Sequence, residues 1–253
     1  VVTNDVALVA FVPLALAALR EAGLVRRLAF TIACMTIAAN AGSMLTPIGN
    51  PQNLYILSVS GMSALDLVDI MAPYSAAAFV LLAATIGIAE LRDRKRFKRI
   101  PPRLVDVNPK APQESFALRD ALPWIVLIVV CLLCVARVAP VWLAVAAAIA
   151  LALVFDMRAL RHVDYALLFT FVAFFIFVGN VARIDAVREA VAALVDGRAL
   201  LVGVVASQAI SNVPAAILIS GFTSDWPALL VGVNIGGLGT LIVSMASLIS
   251  YKQ

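Results

Sequence analysis

The side chains with chemistry to offer in this sequence are amides and hydroxyls, and they gather at four places. Residues 40 to 53 read NAGSMLTPIGNPQN, with three asparagines, a glutamine, two prolines and two glycines inside one hydrophobic segment. Residues 234 to 240 read NIGGLGT, while Thr3-Asn4-Asp5-Val6-Ala7 and Ser211-Asn212-Val213-Pro214-Ala215 each set a hydroxyl beside an asparagine at the head of a short apolar arm. Pro47 and Pro51 supply no amide N–H and leave carbonyls one turn back without donors, and Gly42 and Gly49 let the chain open without a Cβ clash. Freed carbonyls together with the side-chain oxygens of Ser43, Thr46, Asn50 and Asn53 suit a hard monovalent cation. The heads of the two short arms are helix N-termini, whose amides and dipole favour anionic groups.

Such clusters need a setting, and composition supplies it. The chain is 63% hydrophobic and 13% charged with a mean hydropathy of +1.03, far outside the range of water-soluble domains. Its apolar runs approach the roughly 20 residues needed to cross about 30 Å of hydrocarbon. Several are present, so the chain is neither a signal peptide nor a single anchor. Cys34, Cys131 and Cys134 all fall inside apolar runs, and the C-x-x-C has no second pair and no flanking histidine, so these read as small buried residues and not as a redox or metal site.

The runs order themselves as follows. Val6–Leu19 is too short to span, Leu28–Leu57 holds the interrupted segment, Ile70–Ala89 is a plain span, and Leu91–Arg119 is a polar linker. Ala121–Ala136, Val141–Phe155 and Tyr165–Val181 follow, then an amphipathic stretch Ile184–Gly197 that reads as an interfacial helix. Ala199–Phe222 is broken at Ser211–Pro214, and Trp226–Ile249 is broken at Asn234–Thr240. With the linker in the cytoplasm, the positive-inside rule places fifteen of the nineteen basic residues, including those beside His162, on that side. This holds only if Ala199–Phe222 enters and returns as a re-entrant hairpin turning at Asn212. The pI of about 9.2 is then a topology signal and not a mark of nucleic-acid binding.

The order of hairpin tip followed by broken helix occurs twice, and both broken helices share N-x-G-[SG]-x-x-T. Since the two hairpins enter from opposite sides, the halves are related by inversion, the pattern of secondary transporters with a site at the bilayer midplane. Non-helical backbone at that depth is tolerated where it faces protein or a watery cavity. The expected fold is an all-α polytopic membrane protein with inverted repeats, two re-entrant hairpins and two broken transmembrane helices. Residues 1–90 form the end of the first repeat, 91–119 the cytoplasmic linker, and 120–253 the second repeat.

The motifs LTPIGNPQN, TNDVA, SNVPA and NIGGLGT resemble those of the ion transporter superfamily that holds arsenite permeases, citrate transporters and sodium-coupled dicarboxylate carriers. TPIGNPQN and SNVPA are most similar to bacterial arsenite-permease-like anion permeases of the inner membrane. The resemblance covers nearly the whole chain and implies two inverted repeats of helices, hairpins meeting at the centre, sodium or proton coupling, and a homodimer. Ser211-Asn212 matches the Ser-Asn of the dicarboxylate carriers' Ser-Asn-Thr tip, and Thr3-Asn4 its first-repeat partner. The third positions here are Asp5 and Val213, a departure that speaks against dicarboxylate specificity. The sequence begins at Val1 within a hairpin tip and stops at Gln253 after the second broken helix, so it reads as an internal part of a longer protein.

On this reading the substrate-binding residues are Thr3, Asn4, Asp5, Pro47, Ser211, Asn212, Val213, Pro214 and Thr240. The cation-binding residues are Asn4, Ser43, Thr46, Gly49, Asn50, Asn53, Asn212, Asn234, Gly236, Gly237 and Gly239, and the coupling ion is Na+ or H+. No other cofactor, no transition metal and no catalytic residue is expected. A single polar residue such as Ser75 or Thr85 reads as interhelical glue, and Asp5 reads equally as a coupling carboxylate or as a helix cap. The chain is expected to be a secondary active transporter for a small anion or arsenite-like solute, alone or with a separate ATPase subunit, the sequence itself carrying no ATP-binding loop. A sodium–proton antiporter with Asp5 as proton carrier is the alternative. A non-transporting scaffold would gain nothing from exposing backbone in hydrocarbon.

Overall fold

A computed structural model of the protein describes residues 3–96, 118–155, 157, 163, 165–181 and 183–238; among these, the side chains of Asp5, residues 93–96, residues 118–121, Leu167 and Phe171 are not described. All described secondary structure is helical. The chain divides into two compact units, Asp106–Ala173 and the remainder.

The Asp106–Ala173 unit contains α5 (Leu118–Val135) and α6 (Val141–Phe155), which pack on each other. α5 closes with a Schellman motif: Val138 N–H bonds Leu133 O and Arg137 N–H bonds Cys134 O. Arg137 occupies the left-handed position with φ 61°, a place usually given to glycine. Cys34, Cys131 and Cys134 are all free thiols.

The other unit holds α1 (Asn4–Glu21), α2 (Leu28–Ser43), α3 (Pro51–Ser60), α4 (Ala64–Arg96), the later part of α7 (Tyr165–Val181), α8 (Asp185–Val195), α9 (Ala199–Ile210), α10 (Asn212–Ser220) and α11 (Trp226–Gly236). α1 is longer than the expected Val6–Leu19 arm because its polar head is helical. Thr3 is its N-cap, its hydroxyl accepting from Val6 N–H at 3.5 Å, and Pro13 is accommodated inside it. Its end is a second Schellman motif, with Leu24 N–H on Leu19 O, Gly23 N–H on Arg20 O and Gly23 at φ 69°. α1 returns along α2, with Leu8 and Val12 buried against Leu16, Ile32, Met35 and Ala39.

α4 also exceeds its expected span, running to 33 residues. Its first turn is a capping box, Ser63 N–H on the Asp66 carboxylate at 2.7 Å and Asp66 N–H on the Ser63 hydroxyl at 3.1 Å. Its charged far end reaches Arg27, whose guanidinium pairs with Glu90 at 3.1 Å. Residues 97–117 of the expected linker, the Arg158–His162 loop and residues 239–253 lie outside the described residues.

Among the described residues one helix, Ala64–Arg92, is by itself long and apolar enough to cross a membrane. Other apolar helices are shorter, because the polar clusters cut two of the long runs. The pattern of burial is nevertheless inverted relative to a water-soluble protein. Phe11, Leu14, Leu81, Val154 and Phe169 are exposed, while Asn4, Asn40, Asn50, Gln52, Asn53, Asn212 and Asn234 are buried. The larger apolar cluster joins Met44, Ile56, Leu67, Met71, Ala215, Ile219, Leu229 and Val233, and so wraps the ends of the broken segments.

α9 and α11 run side by side in the same direction, in backbone contact. A Cβ on Gly203 would lie 3.3 Å from Gly232, one on Gly232 would meet the Leu200 backbone, and one on Gly236 would lie 2.6 Å from Ser207 Cβ. Between them the chain reverses at Ser211, held at φ 78° and ψ 159°. For a residue with a Cβ that region costs on the order of 1–3 kcal/mol and persists only where its surroundings over-determine it.

Candidate functional site

The site is built where α2 stops. Beyond Ser43 the hydrogen bonds shorten to the turn type, with Leu45 N–H on Gly42 O, Thr46 N–H on Ser43 O and Gly49 N–H on Thr46 O. Asn50 is then extended, φ −138° and ψ 142°, as the residue before a proline prefers, and Pro51 opens α3. Gly49 is required by space: a Cβ there would lie 2.6 Å from Thr46 Oγ1 and overlap the Ser43 carbonyl. Gly42 has no such constraint, its nearest neighbour being Phe79 Cζ at 3.8 Å.

Asn53 gathers the loose end. Its Nδ2 donates to Thr46 O at 3.1 Å, Met44 O at 3.3 Å and Ser43 O at 3.5 Å. The first hairpin tip reaches the same break. Asn4 N–H donates to Gly49 O at 3.4 Å, and Asn4 Nδ2 donates to Asn40 Oδ1 at 2.9 Å. Asn40 in turn donates to Thr36 O, and the Ser43 hydroxyl to Asn40 O.

The second tip meets the end of α11. Gly237 makes room for Asn212, since a Cβ at Gly237 would lie 2.6 Å from Asn212 Nδ2, and Gly236 makes room for Ser207. Gln208 Nε2 donates to Gly236 O. Asn234 repeats the habit of Asn40 by donating to the carbonyl four residues back, Leu230 O, at 2.9 Å. Its remaining bonds go elsewhere than to its own hairpin tip. Nδ2 donates to Asn53 Oδ1 at 2.7 Å, while Oδ1 accepts from Gln52 Nε2 at 3.3 Å and Asn50 Nδ2 at 3.4 Å.

Three buried oxygens are left without a hydrogen-bond partner among the described residues: Asn50 Oδ1, Ser207 Oγ and Asn212 Oδ1. A buried polar atom without a partner costs about 1–3 kcal/mol, so its retention calls for a ligand or a mechanical reason. All three oxygens are neutral and lie on residues packed around the end of α11. They are amide and hydroxyl oxygens, hard donors of the kind that suit alkali cations.

The structure therefore brings together Asn4, Ser43, Gly49, Asn50, Asn53, Asn212, Asn234, Gly236 and Gly237 of the expected residues. Thr46 contributes its carbonyl to Asn53 and is exposed; Pro47 and Val213 are partly buried, and Pro214 is buried. Gly239, Thr240 and the side chain of Asp5 lie outside the described residues. Asn40, Gln52 and Ser207 belong to the site without having been named for it. Asn40 and Gln52 stand inside the quoted motif, and Ser207 lies one helical turn before Ser211 on the same helix. Ser75 acts as expected of glue, its hydroxyl donating to Ala41 O of α2 at 2.6 Å, whereas Thr85 bonds within its own helix.

Comparison with known proteins locates this arrangement. The sequence pattern of the citrate transporter family matches residues 1–225. An uncharacterized transporter of Methanocaldococcus jannaschii is 31% identical over 255 residues, covering 99% of this chain and 66% of the relative. The inner membrane protein YbiR of Escherichia coli is 32% identical over 255 residues, covering 99% of this chain and 65% of the relative. The chain thus spans about two thirds of the length of these relatives. No solved structure matches it.

Proposed function

We propose that this chain, which belongs to the citrate transporter family, carries the cation- and solute-binding centre of a secondary active transporter that moves a small anion together with sodium or protons across a bacterial inner membrane. The observation that carries this reading is the set of three partnerless buried oxygens, Asn50 Oδ1, Ser207 Oγ and Asn212 Oδ1, at the level where the helices break. Asn50 and Asn212 are candidate cation ligands with Ser207 as an added one, and the N-termini of α1 and α10 are candidate seats for the anion. The hydrogen-bond partners of the Asn50, Gln52, Asn53 and Asn234 side chains are amides and backbone carbonyls, so the charge of an anion would be met by co-transported cations and helix amides instead of by arginine or lysine. The two tip-and-break pairings, Asn4 with Gly49 and Asn212 with Gly237, support an inverted-repeat arrangement with re-entrant hairpins.

The test is uptake by the full-length protein in proteoliposomes, with citrate, smaller carboxylates, inorganic anions and arsenite as solutes and with sodium or proton gradients imposed separately. Gradient-driven accumulation of one anion, needing a steeper gradient in Asn50→Ala, is the expected result; no accumulation of any of them under either gradient would overturn the reading. The second reading, sodium–proton antiport, rests on Asp5 standing next to Asn4 in the first turn of α1. Asp5→Asn separates the two: an unchanged pH profile of transport between about pH 5.5 and 8.5 removes the proton carrier, because the amide is isosteric and does not titrate in that range.

A further inference from the structure

We infer that Asn234 is a positioning residue: it aims the oxygen of Asn50 into the site and ties the α2 break to α11, so that cation binding in one half of the site depends on the other. This rests on the reading of the amide cluster as a cation-coupled centre.

Backbone carbonyl oxygens can only accept, and they fix the orientation of the amides around them. Leu230 O lies 2.9 Å from one side-chain atom of Asn234, and a carbonyl accepts only, so that atom is Nδ2. Thr46 O and Met44 O likewise fix the near atom of Asn53 as Nδ2, which makes its other atom Oδ1. Asn53 Oδ1 then takes the second proton of Asn234 Nδ2, at 2.7 Å. With both protons of that nitrogen committed, Asn234 faces Asn50 and Gln52 with its oxygen, so each must present nitrogen to it. Asn50 consequently turns Oδ1 the other way, and this is one of the three oxygens with no partner. Four amides, each at most 3% exposed, are thus oriented in sequence from backbone carbonyls, and the last step leaves a ligand atom free.

Two features separate this from ordinary glue. First, Asn50 stands at the N-cap of α3, where an asparagine oxygen ordinarily accepts from the first turn; here it makes no cap bond. Second, Asn234 does not bond its own hairpin tip as Asn40 bonds Asn4, but crosses 181 to 184 residues of chain to the other break. A shift of α11 that reseats Gly237 against Asn212 therefore moves Asn234, and through Asn53 it moves the carbonyls of Ser43, Met44 and Thr46.

The experiment is a double-mutant cycle on the full-length protein, read as the sodium concentration giving half-maximal uptake in proteoliposomes and half-maximal thermal stabilisation in detergent, with choline chloride as the ionic-strength control. Asn234→Ser and Asn234→Leu are each combined with Asn50→Ala, the serine variant guarding against failure of the leucine variant to fold. Each Asn234 variant should raise the half-maximal sodium concentration by about five- to tenfold, the scale of a modest coupling free energy. If Asn234 acts through Asn50, the double variants need no more sodium than Asn50→Ala alone. Effects that multiply, or Asn234 variants that lower maximal uptake and choline-state stability without changing the sodium requirement, overturn the proposal. A parent protein indifferent to sodium in both measurements overturns the proposal, and the cation-coupled reading falls with it if an imposed proton gradient drives no uptake either.

Discussion

Gly49 and Gly42 lie seven residues apart in one motif, and alanine should have opposite effects at the two. At Gly49 the new Cβ would overlap the Ser43 carbonyl and lie 2.8 Å from its carbon and 2.6 Å from Thr46 Oγ1. The main obstacle is backbone, so no rotamer change relieves it. Overpacking of that kind costs about 1–3 kcal/mol, and the displaced Ser43 carbonyl also loses alignment with Thr46 N–H and Asn53 Nδ2, at about 1 kcal/mol for each bond. A loss of roughly 3–5 kcal/mol is expected for Gly49→Ala. At Gly42 the nearest atom is 3.8 Å away, an ordinary contact, and alanine inside a helix is favoured over glycine by about 0.5–1 kcal/mol. Thermal melts of the detergent-purified full-length protein, at roughly 2–4 °C per kcal/mol for a chain of this size, resolve both signs. A Gly49→Ala protein melting with the parent, or a Gly42→Ala protein melting as far below it as Gly49→Ala should, would refute the account of the break.

Three further outcomes are expected. Gly232→Ala should destabilise by about 1–3 kcal/mol or more, since its Cβ would meet the Leu200 backbone; a melt unchanged from the parent counts against the α9–α11 contact. Tyr55→Phe removes the 2.7 Å bond between Tyr55 Oη and Ser220 Oγ and should cost about 1 kcal/mol with sodium dependence unaltered, because that bond ties α3 to the far end of α10. Single-cysteine labelling from outside the cell, on a cysteine-free background, should modify Ser224→Cys and spare Asn108→Cys; the reverse pattern rejects the expected topology.

Much of the helical order was legible because apolar runs bounded by polar punctuation are unambiguous. Val141–Phe155 and Tyr165–Val181 coincide with α6 and α7. Polar ends were harder to place. Thr3-Asn4-Asp5 and Ser63-Ala64-Leu65-Asp66 are capping sequences, so α1 and α4 begin earlier than their apolar residues suggest. Residue types at the breaks were legible too, since proline and glycine at that depth demand a polar reason. Their pairing was not. Spacing casts Asn53 as an oxygen ligand, yet in the fold its nitrogen holds three carbonyls and its oxygen accepts from Asn234. A linear pattern carries no information on which of several like amides will face each other from opposite ends of the chain.

The seam between α9 and α11 has a mechanical consequence. Its closest approaches are made by Gly203 and Gly232 against backbone and by Gly236 against Ser207, so the rods touch with little side chain between them there. Screwing one rod forward or back by a single residue, about 1.5 Å of travel with about 100° of rotation, would bring Val231 or Val233 where Gly232 now clears the Leu200 backbone. The pair therefore behaves as a toothed rack in one register and is stiff along its length. Any stroke that carries Asn212 from one side of a membrane to the other must move both rods as one lever arm, with flexure left to the joint at Ser211 and to the 221–225 loop.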